Sequence, residues 1–343
     1  MTDPARTDPA RTDPDRTDRD AGTAEFLLSV GWAGAQIHPL AGDASDRSYA
    51  RLTRGGQTAI LMNAPPGTGD DPADFVRIAG YLAEMQLSVP AILGQDLTQG
   101  FLLLEDFGDA LFARLLADDR AQEAALYRAA TDVLIHLSKA PLPKGLPDLT
   151  ARNWAQAAGL AVTHYAAPLT PQTDLAQFVA RLTQTLHDRS DGPRIFIHRD
   201  FHAENLILLP DRQGLRRVGL LDFQLGQAGQ PGYDLVSLLQ DARRDVSTAV
   251  ETAMIDRYAM GLGLDLAGFA VSYAALGAQR ALRIIGIFAR LATNGKPRYL
   301  ALIPRVWAQL QRNLAHPALS DLRSACAILP PPTPETLQRL TPP

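Results

Sequence analysis

Two short apolar segments of this chain each lead into side chains that could perform chemistry. Residues 195–197 are apolar and run into a charged stretch that ends at Asp200, and Asn205 follows shortly after. Residues 218–221 are also apolar, and Asp222 comes directly after them. A carboxylate such as Asp200 can accept the proton of an attacking hydroxyl, whereas an amide oxygen and a second carboxylate can hold Mg²⁺ on nucleotide phosphates. These residue types in this order therefore indicate phosphoryl transfer.

The spacing of these side chains predicts how they come together. Both apolar segments have the composition of short buried strands. Between Asn205 and Asp222, residues 206–209 and 216–221 flank a turn at residues 210–214, which is the pattern of a β-hairpin. The hairpin would place Asn205 and Asp222 side by side, with the preceding aspartate at the mouth of the site. The alternative interpretation is a charged surface turn between two strands.

The composition limits the class of protein. The chain has 343 residues, of which 46% are apolar, so it is long enough for two domains or lobes with a substantial core. Its 33 basic and 37 acidic residues give a net charge of −4, and no nucleic-acid partner is expected. The single cysteine, Cys326, excludes a disulfide within the chain and a cysteine-based zinc site. Arginines interrupt the apolar segment 267–291 and the N-terminus has no apolar signal region, so we expect a cytoplasmic protein that does not bind membranes. A monomer is the expected oligomeric state.

Composition and periodicity divide the chain into four parts. Residues 1–21 repeat a Thr-Asp-Pro unit without large apolar side chains, so they are predicted to form a disordered tail. Residues 22–106 combine strand patterns with a short helix that begins near Thr23 and a second helix at residues 72–85, and they predict a small, mostly antiparallel sheet. Residues 107–328 have mostly helical periodicity, and the proline-rich residues 329–343 are expected to be a loose end. The predicted fold class is α+β, with a small sheet lobe before a larger, mostly helical lobe.

The residues around Asp200 resemble the catalytic loop of the kinase superfamily. Residues 198–200 read His-Arg-Asp and, with Asn205, fit the pattern H-R-D-x-x-x-x-N. Residues 222–224 read Asp-Phe-Gln where those enzymes have Asp-Phe-Gly. The resemblance implies a bilobal protein-kinase-like fold, with ATP and Mg²⁺ as cofactors. It also implies that Asp200 is the catalytic base and that Asn205 and Asp222 bind the metal.

The loop at residues 42–49 is the candidate phosphate-binding segment. It is rich in small residues, which allow main-chain N–H groups to approach a polyphosphate. It resembles the Gly-x-x-Ser-Asn-x-x-Tyr loop of aminoglycoside and choline kinases, with Asp46 in place of the asparagine. The alternative is an ordinary hairpin loop. The resemblance implies that the nucleotide-binding residues of this loop are Gly42, Ser45, Asp46 and Arg47.

The lysine that kinases carry on the third strand is absent from this chain. The third strand is predicted at residues 59–63, and the first lysine of the whole sequence is Lys139. Another cation must therefore contact the phosphates, if this contact exists. We expect Arg47 to make it because this residue belongs to the phosphate loop, and Arg51 and Arg77 are the alternatives.

A literal Asp-Phe-Gly occurs at residues 106–108, ahead of the catalytic loop. The metal-binding aspartate of kinases follows that loop in the chain, so this triplet is not the metal site. It comes directly after a predicted strand at residues 101–104 and is interpreted as a hinge between the lobes. The adenine ring is then expected to bond to main-chain groups at Glu105 and Phe107.

Basic residues on one predicted helix are candidates for binding the phosphoryl acceptor. Arg280, Arg283 and Arg290 are spaced by three and seven residues, which places them on one face of a helix at residues 266–291. Such a face could bind an anionic or hydroxyl-rich substrate, or it could be a solvated surface. Asp234 is predicted to be a helix N-cap. The candidate acceptor-binding residues are His202, Gln224, Arg280, Arg283 and Lys296.

Three further stretches narrow the resemblance to the aminoglycoside-phosphotransferase family. Residues 63–66, 284–290 and 295–300 look most like the branch that phosphorylates N-acetylmuramate and N-acetylglucosamine at the 1-hydroxyl. The resemblance implies an ATP-dependent amino-sugar kinase of peptidoglycan recycling. Alternative acceptors are an aminoglycoside, a choline-like alcohol or another sugar. Because the usual lysine is missing, a nucleotide-binding pseudokinase is a further alternative.

Overall fold

The structure is a computed structural model that describes residues 14–40, 47–67, 69, 71–170 and 174–341. Within these residues the chain forms two compact units. Unit 1 contains the described residues up to Arg77 together with Pro90–Gly108, and unit 2 contains Ile78–Val89 and the described residues from Asp109 onward. The predicted hinge residues therefore belong to unit 1, and the predicted catalytic loop belongs to unit 2.

Unit 1 is built on an antiparallel sheet. In the described part of this unit, the sheet has five strands in the order β1-β2-β3-β5-β4. Gly55 and Gly56 join β2 to β3 with φ angles of 55° and 80°, as a two-residue turn with two left-handed positions requires. The elements are helix α1 (Pro14–Ser29) and strands β1 (Gln36–Pro39), β2 (Ser48–Arg54), β3 (Gln57–Asn63), β4 (Ile92–Asp96) and β5 (Phe101–Glu105).

Alternating apolar side chains of the sheet form the core of unit 1 against helix α1. Leu61 on β3 lies opposite Leu103 on β5, and both are buried. The ring of Phe26 on α1 stacks on that of Phe101 with a centroid distance of 5.4 Å. Stacked aromatic rings and cross-strand leucines bury apolar area on one face of the sheet, which holds α1 in place.

Helix α1 begins at Pro14, inside the segment 1–21 that the sequence predicts to be a tail. The Arg19 side chain gives the physical reason. Its guanidinium donates to Asn63 Oδ1 from Nε and Nη2, at 2.9 and 2.5 Å, and lies 4.0 Å from the centroid of the Phe101 ring. The prediction of a tail rests on the lack of large apolar residues in this segment. That criterion does not detect a contact that a single arginine makes with an aromatic ring.

Unit 2 is mostly helical, with two small antiparallel strand pairs, β6–β9 and β7–β8, in its described part. The α+β fold predicted from the sequence, with a small antiparallel sheet before a larger helical part, is confirmed. The helices are α2 (Pro72–Glu84, which starts in unit 1), α3 (Phe112–Asp118), α4 (Glu123–Lys139), α5 (Ala151–Ala158), α6 (Leu175–Ser190), α7 (Tyr233–Leu239), α8 (Thr248–Leu262), α9 (Leu266–Thr293), α10 (Ile303–Leu314), α11 (Ser320–Ala325) and α12 (Pro334–Gln338). The strands are β6 (Ile195–Ile197), β7 (Leu206–Leu208), β8 (Val218–Leu220) and β9 (Gln227–Gly229).

Helix α9 is the central helix of unit 2 and contacts α5, α6, α7, α8 and α10. Gly286 permits one of these approaches, because a Cβ atom there would lie 2.2 Å from the carbonyl carbon of Leu160. The helix carries the arginines that the sequence singles out. Over the described residues, no helix is both long enough and apolar enough to cross a membrane.

Residues 78–89 pack within unit 2, although the sequence assigns them to the first lobe. The Tyr81 ring lies 5.1 Å from the Phe196 ring, centroid to centroid. The Leu220 N–H donates to the Ser88 carbonyl at 2.8 Å. The predicted range 22–106 is therefore not one compact unit. Ser88, within residues 78–89, pairs with strand β8 of unit 2, which lies far from it in the sequence.

The proline-rich end, residues 329–343, is packed over its described part. Helix α12 starts after Thr333, whose side chain accepts from the Thr336 N–H. The Tyr165 hydroxyl donates to the Pro330 carbonyl at 2.7 Å, and Leu340 is buried. The expectation of a loose end fails here because a buried tyrosine and a buried leucine hold the segment on unit 2.

Candidate active site

The predicted catalytic loop lies between β6 and β7, and Asp222 follows β8. Leu206 pairs with Leu220 in the β7–β8 hairpin, which confirms the hairpin predicted from the sequence. One step beyond this pair, the Leu221 N–H donates to the main-chain carbonyl of Asn205 at 3.0 Å. The backbones of Asn205 and Leu221 are therefore adjacent, and Asp222 is the next residue along the chain.

The Asn205 side chain connects the hairpin to the residue that precedes it in the loop. Its Nδ2 donates to the main-chain carbonyl of Asp200 at 2.9 Å. Since the amide nitrogen is used in this way, the orientation of the amide is fixed and its oxygen points elsewhere. The contact uses the main-chain carbonyl of Asp200 and not its carboxylate. The predicted role of Asp200 as a base and the predicted role of Asn205 as a metal ligand therefore involve different atoms.

Two residues of the site have an unusual backbone conformation. Over the described part of the chain, three non-glycine residues have positive φ, and two of them are Arg199 at 77° and Asp222 at 58°. Side chains other than glycine rarely adopt this conformation, and where it occurs the surrounding structure must stabilise it. Arg199 directly precedes the predicted base Asp200, and Asp222 is itself the predicted metal ligand.

Asp234, on helix α7, supplies part of this stabilisation. Its carboxylate accepts hydrogen bonds from the main-chain N–H groups of His198 at 2.6 Å and Arg199 at 2.9 Å. The prediction that Asp234 is a helix N-cap is wrong, because Gly232 occupies that position with a φ of 93°. Burial raises the pKa of the Asp234 carboxyl to about 7, even though the two N–H donors act in the opposite direction. Asp234 therefore holds the backbone at the start of the predicted catalytic loop.

The Asp200 carboxylate lies in a field of positive charge. Burial acts to raise its pKa, but the positive charges of Arg280, Arg283 and Arg199 overcome this effect and hold the pKa below the ordinary value. Asp200 is therefore ionised at neutral pH and can accept a proton. The structure thus brings Asp200 near two of the arginines that the sequence predicts for the acceptor.

Arg280 and Arg283 share a hydrogen-bond acceptor, the hydroxyl of Tyr233. Their Nη1 atoms lie 3.4 and 3.5 Å from this oxygen. The Tyr233 ring is fully buried and packs 4.5 Å from the Trp154 ring, centroid to centroid. Arg280 is itself buried, which excludes the simple interpretation of a solvated arginine face at this position.

The other basic residues that the sequence places with this pair lie elsewhere. Arg290 is exposed and acts electrostatically on His164, whose pKa is lowered by burial and then by this arginine. Lys296 follows the end of α9 and precedes the short 3₁₀ helix Pro297–Leu302. The ten positions that separate Arg283 from Thr293 span about 15 Å along the helix axis. The structure brings together only the first two arginines of the predicted set.

His202 lies near Asp200, the predicted base, and is electrically neutral at neutral pH. Burial lowers its pKa to about 4, although the charges of Asp241 and Asp200 act to raise it. At neutral pH the imidazole therefore offers one N–H donor and no positive charge. Its predicted contact with the acceptor stays a prediction, now restricted to a neutral hydrogen bond.

Gln224 has a protein partner rather than an open position for substrate. Its side chain is 3% exposed, and Nε2 donates to Asp222 Oδ1 at 2.9 Å. The sequence predicts this residue as an acceptor-binding group. The hydrogen bond instead joins it to the predicted metal ligand.

Three of the predicted nucleotide-binding residues, Gly42, Ser45 and Asp46, lie outside the described residues. The other three, Arg47, Glu105 and Phe107, belong to unit 1. Arg47 directly precedes β2 and is half-buried. Glu105 ends β5, and its N–H donates to the Ala91 carbonyl at 2.8 Å, so that group is not available to an adenine ring. Phe107 follows two residues after the strand.

Asp106, the first residue of the literal Asp-Phe-Gly, is engaged in an ion pair. Arg51 Nε lies 2.7 Å from Asp106 Oδ2, and Oδ1 accepts from the Gly108 N–H at 2.9 Å. Both carboxylate oxygens are thus used within unit 1. This arrangement fits a structural role for the triplet, and it also gives Arg51 a partner other than phosphate.

A magnesium site at Asn205 and Asp222 fits the donors that are present. Mg²⁺ is commonly held by one or two carboxylates together with substrate phosphates. The orientation of the Asn205 amide leaves an oxygen donor, and Asp222 provides a carboxylate. Among residues with described side chains there is no cluster of three or more His, Cys, Asp and Glu that could hold a metal without such a substrate.

Several residues that shape the site are not evident from the sequence. Glu204 of the loop pairs with Arg243 at 3.1 Å and with Arg244 at 3.3 Å, and Arg244 also pairs with Asp241 at 2.8 Å. No motif links these residues, since the bonds run between the catalytic loop and the segment after α7. In the sequence, these ion pairs are indicated only by the charged stretch that follows the apolar helix α7.

Comparisons with known proteins agree with this geometry. Residues 36–270 match the phosphotransferase enzyme family. The chain is similar to an N-acetylmuramate/N-acetylglucosamine kinase of Caulobacter vibrioides, with 39% identity over 346 aligned positions that cover 89% of this chain and 95% of the relative. It is also similar to an N-acetylmuramate/N-acetylglucosamine kinase of Pseudomonas aeruginosa, with 33% identity over 91% of this chain and 94% of the relative.

Solved structures show the same fold at low sequence identity. A choline/ethanolamine kinase family protein of Mesorhizobium loti superposes with a TM-score of 0.60 at 16% identity, over 89% of this chain and 98% of that one. A choline kinase of Streptococcus pneumoniae superposes with a TM-score of 0.58 at 15% identity, over 90% of this chain and 99% of that one. With the match over residues 36–270 and close relatives along most of its length, the chain belongs to the phosphotransferase enzyme family and is a kinase.

Proposed function

We propose that this protein transfers the γ-phosphoryl group of ATP to the anomeric hydroxyl of N-acetylmuramate and N-acetylglucosamine. The observation that carries the acceptor class is the position of Arg280 and Arg283 beside Asp200, since a paired guanidinium cluster favours an anionic or hydroxyl-rich acceptor. The names of the relatives support the same substrates. The reaction would serve peptidoglycan recycling, and the use of ATP favours the cytoplasm as its location.

Asp200 is the proposed proton acceptor of the sugar hydroxyl. Because the surrounding cations keep the pKa of Asp200 low, this carboxylate is a weak base. An anomeric hydroxyl is more acidic than an ordinary alcohol, since the ring oxygen withdraws electron density from it. A weak base therefore suits this hydroxyl better than it suits the other hydroxyl groups of the sugar.

Asn205 and Asp222 are the proposed ligands of Mg²⁺. When bound, the metal neutralises charge on the nucleotide phosphates. The protein contributes the β7–β8 hairpin, whose two ends are followed or preceded by these side chains, and Asp234 holds the start of the preceding loop. The nucleotide is proposed to contact Gly42, Ser45, Asp46 and Arg47 through its phosphates, and the main chain near Glu105 and Phe107 through its adenine.

Arg47→Ala is expected to weaken the binding of ATP roughly tenfold or more, with little effect on adenosine. A charge-assisted hydrogen bond contributes about 1.5–3 kcal/mol, and about 1.4 kcal/mol corresponds to a tenfold change in Kd. Calorimetric titration of both ligands measures the difference. Arg54→Ala is the matched control, because Arg54 is exposed and lies at the opposite end of β2 from Arg47. Equal losses for ATP and adenosine would assign the phosphate contact to another residue, with Arg51 as the next candidate.

Arg283→Ala is expected to lower the kcat/KM for N-acetylmuramate about ten- to hundredfold relative to N-acetylglucosamine. N-acetylmuramate carries a lactyl carboxylate that the other sugar lacks, and a charge-assisted hydrogen bond to it contributes about 1.5–3 kcal/mol. Arg280→Met and Lys296→Ala test the other two candidates in the same way. Each variant is measured with both sugars, so that the neutral sugar reports any general damage.

Arg290→Ala is the control on the same helix, because this arginine is exposed and lies beside His164 rather than Asp200. If all four variants lose the same fraction of activity with both sugars, the arginines stabilise the fold without recognising a carboxylate. An aminoglycoside or a choline-like alcohol is cationic and would be repelled by the pair Arg280 and Arg283. An ATP-consumption assay over amino sugars, aminoglycosides and choline tests this choice of acceptor, and no consumption with any acceptor would favour the pseudokinase.

A further inference from the structure

The residue after Asp222-Phe223 differs from the kinase pattern that this chain resembles. That pattern has glycine at this position, whereas this chain has Gln224. A glycine has no side chain that could act on the preceding aspartate. Here the Gln224 Nε2 atom donates to Asp222 Oδ1 at 2.9 Å, and the glutamine side chain is only 3% exposed.

The hydrogen bond from Gln224 constrains the orientation of the Asp222 side chain. The backbone of Asp222 is already held in the left-handed region, at a φ of 58°. The carboxylate can still rotate about its side-chain bonds, and the hydrogen bond limits this rotation. A donor that is shielded from water holds a carboxylate more firmly than an exposed donor does, because water does not compete for it.

The chemistry of Gln224 argues against a role in packing alone. Its Oε1 atom is buried and has no hydrogen-bond partner among the described residues. Leaving a buried amide oxygen unpaired costs free energy. A methionine or leucine would fill the same space without that cost, so the amide N–H accounts for a glutamine here better than its volume does.

We propose that Gln224 is a positioning residue that orients the Asp222 carboxylate for the metal ion. The proposal rests on the metal role of Asp222 given above and replaces the predicted contact between Gln224 and the sugar. Hydrogen-bond partners of metal-binding carboxylates change metal affinity or activity by roughly 10–100-fold when they are removed. Gln224 therefore sets the Mg²⁺ requirement of the enzyme while leaving the acceptor site unchanged.

Gln224→Met tests the proposal, because methionine keeps the length of the side chain and removes the N–H donor. We expect the Kd for Mn²⁺, measured by electron paramagnetic resonance with a non-hydrolysable ATP analogue present, to rise roughly 10–100-fold. The concentration of Mg²⁺ that gives half-maximal turnover should rise by a similar factor, while turnover at saturating Mg²⁺ and the KM for the sugar change little.

Gln227→Met is the matched control. Gln227 is also buried, stands three residues further along the chain on β9, and has no described bond to Asp222. Its Kd for Mn²⁺ is expected to equal that of the parent protein. If Gln224→Met does not fold, Gln224→Ala removes the same donor without adding an apolar group to the space, and its expected result is the same.

Two outcomes separate failure of this proposal from failure of the metal assignment. If Gln224→Met and Gln224→Ala bind Mn²⁺ as tightly as the parent while Asp222→Ala does not bind it, the proposed metal site stands and the positioning role is overturned. If Asp222→Ala binds Mn²⁺ as tightly as the parent, the metal assignment itself fails, and the positioning role fails with it.

Discussion

Asp200→Asn is expected to lower turnover roughly 10²–10⁴-fold, which is the usual contribution of a positioned proton acceptor. Asparagine has nearly the same size as aspartate but is not a base. The hydrogen bond from Asn205 to residue 200 uses the main-chain carbonyl and is retained in this variant. We therefore expect the loop to keep its conformation and ATP to bind with nearly unchanged affinity. Single-turnover kinetics and equilibrium binding of ATP measure the two effects separately.

Asp211→Asn is the control for this substitution. Asp211 is exposed in the connection between β7 and β8, so the same chemical change there should leave turnover unaffected. Turnover within a few-fold of the parent in Asp200→Asn would show that another group accepts the proton. A comparable loss of ATP affinity would instead show that the substitution disturbs the loop.

Asp222→Ala is expected to reduce turnover by roughly 10²-fold or more at Mg²⁺ concentrations that saturate the parent. A bound metal contributes several kcal/mol of stabilisation to the charge that develops on the transferred phosphoryl group, and about 1.4 kcal/mol corresponds to a tenfold change. A titration of turnover against Mg²⁺ measures the effect. We expect the curve for the variant to lie far to higher Mg²⁺ or to show no activity.

Asp106→Ala is the matched control, since Asp106 begins the literal Asp-Phe-Gly that precedes the predicted catalytic loop. Its carboxylate is paired with Arg51, so its loss should affect the stability of unit 1 and leave the Mg²⁺ dependence as it is in the parent. Identical Mg²⁺ curves for Asp222→Ala and the parent would make Asp222 structural. A shifted curve for Asp106→Ala would assign the metal to the triplet that the chain order argues against.

The local part of the site could be predicted from the sequence. The strand at Ile195–Ile197, the β7–β8 hairpin and the adjacency of Asn205 to Leu221 all follow from apolar runs and one turn within about 30 residues of chain. In such short segments, the pattern of apolar residues and turns is enough to predict which residues lie next to each other. The order of the motifs also separates Asp222 from Asp106, and the ion pair between Asp106 and Arg51 agrees with that choice.

Long-range contacts could not be predicted in this way. Asp234 stands 36 residues after His198 and has no motif that would identify it as the acceptor for the loop N–H groups. Helical periodicity predicts that Arg290 lies on the same face as Arg283, but their separation of seven positions corresponds to about 10 Å along the helix axis. Residues on one face of a long helix therefore contact different parts of the protein. Of the three arginines, only Arg280 and Arg283, which lie beside Tyr233, reach the candidate site.

The product of the reaction tests the central proposal most directly. The protein is incubated with ATP, Mg²⁺ and N-acetylmuramate or N-acetylglucosamine, and ADP release is followed together with the reducing power of the sugar. Phosphorylation at the anomeric hydroxyl removes the reducing end, so we predict that one reducing end is lost for each ADP formed. Formation of ADP and a phosphorylated sugar that keeps its reducing end would contradict a 1-kinase, and the absence of ADP with both sugars would contradict an amino-sugar kinase.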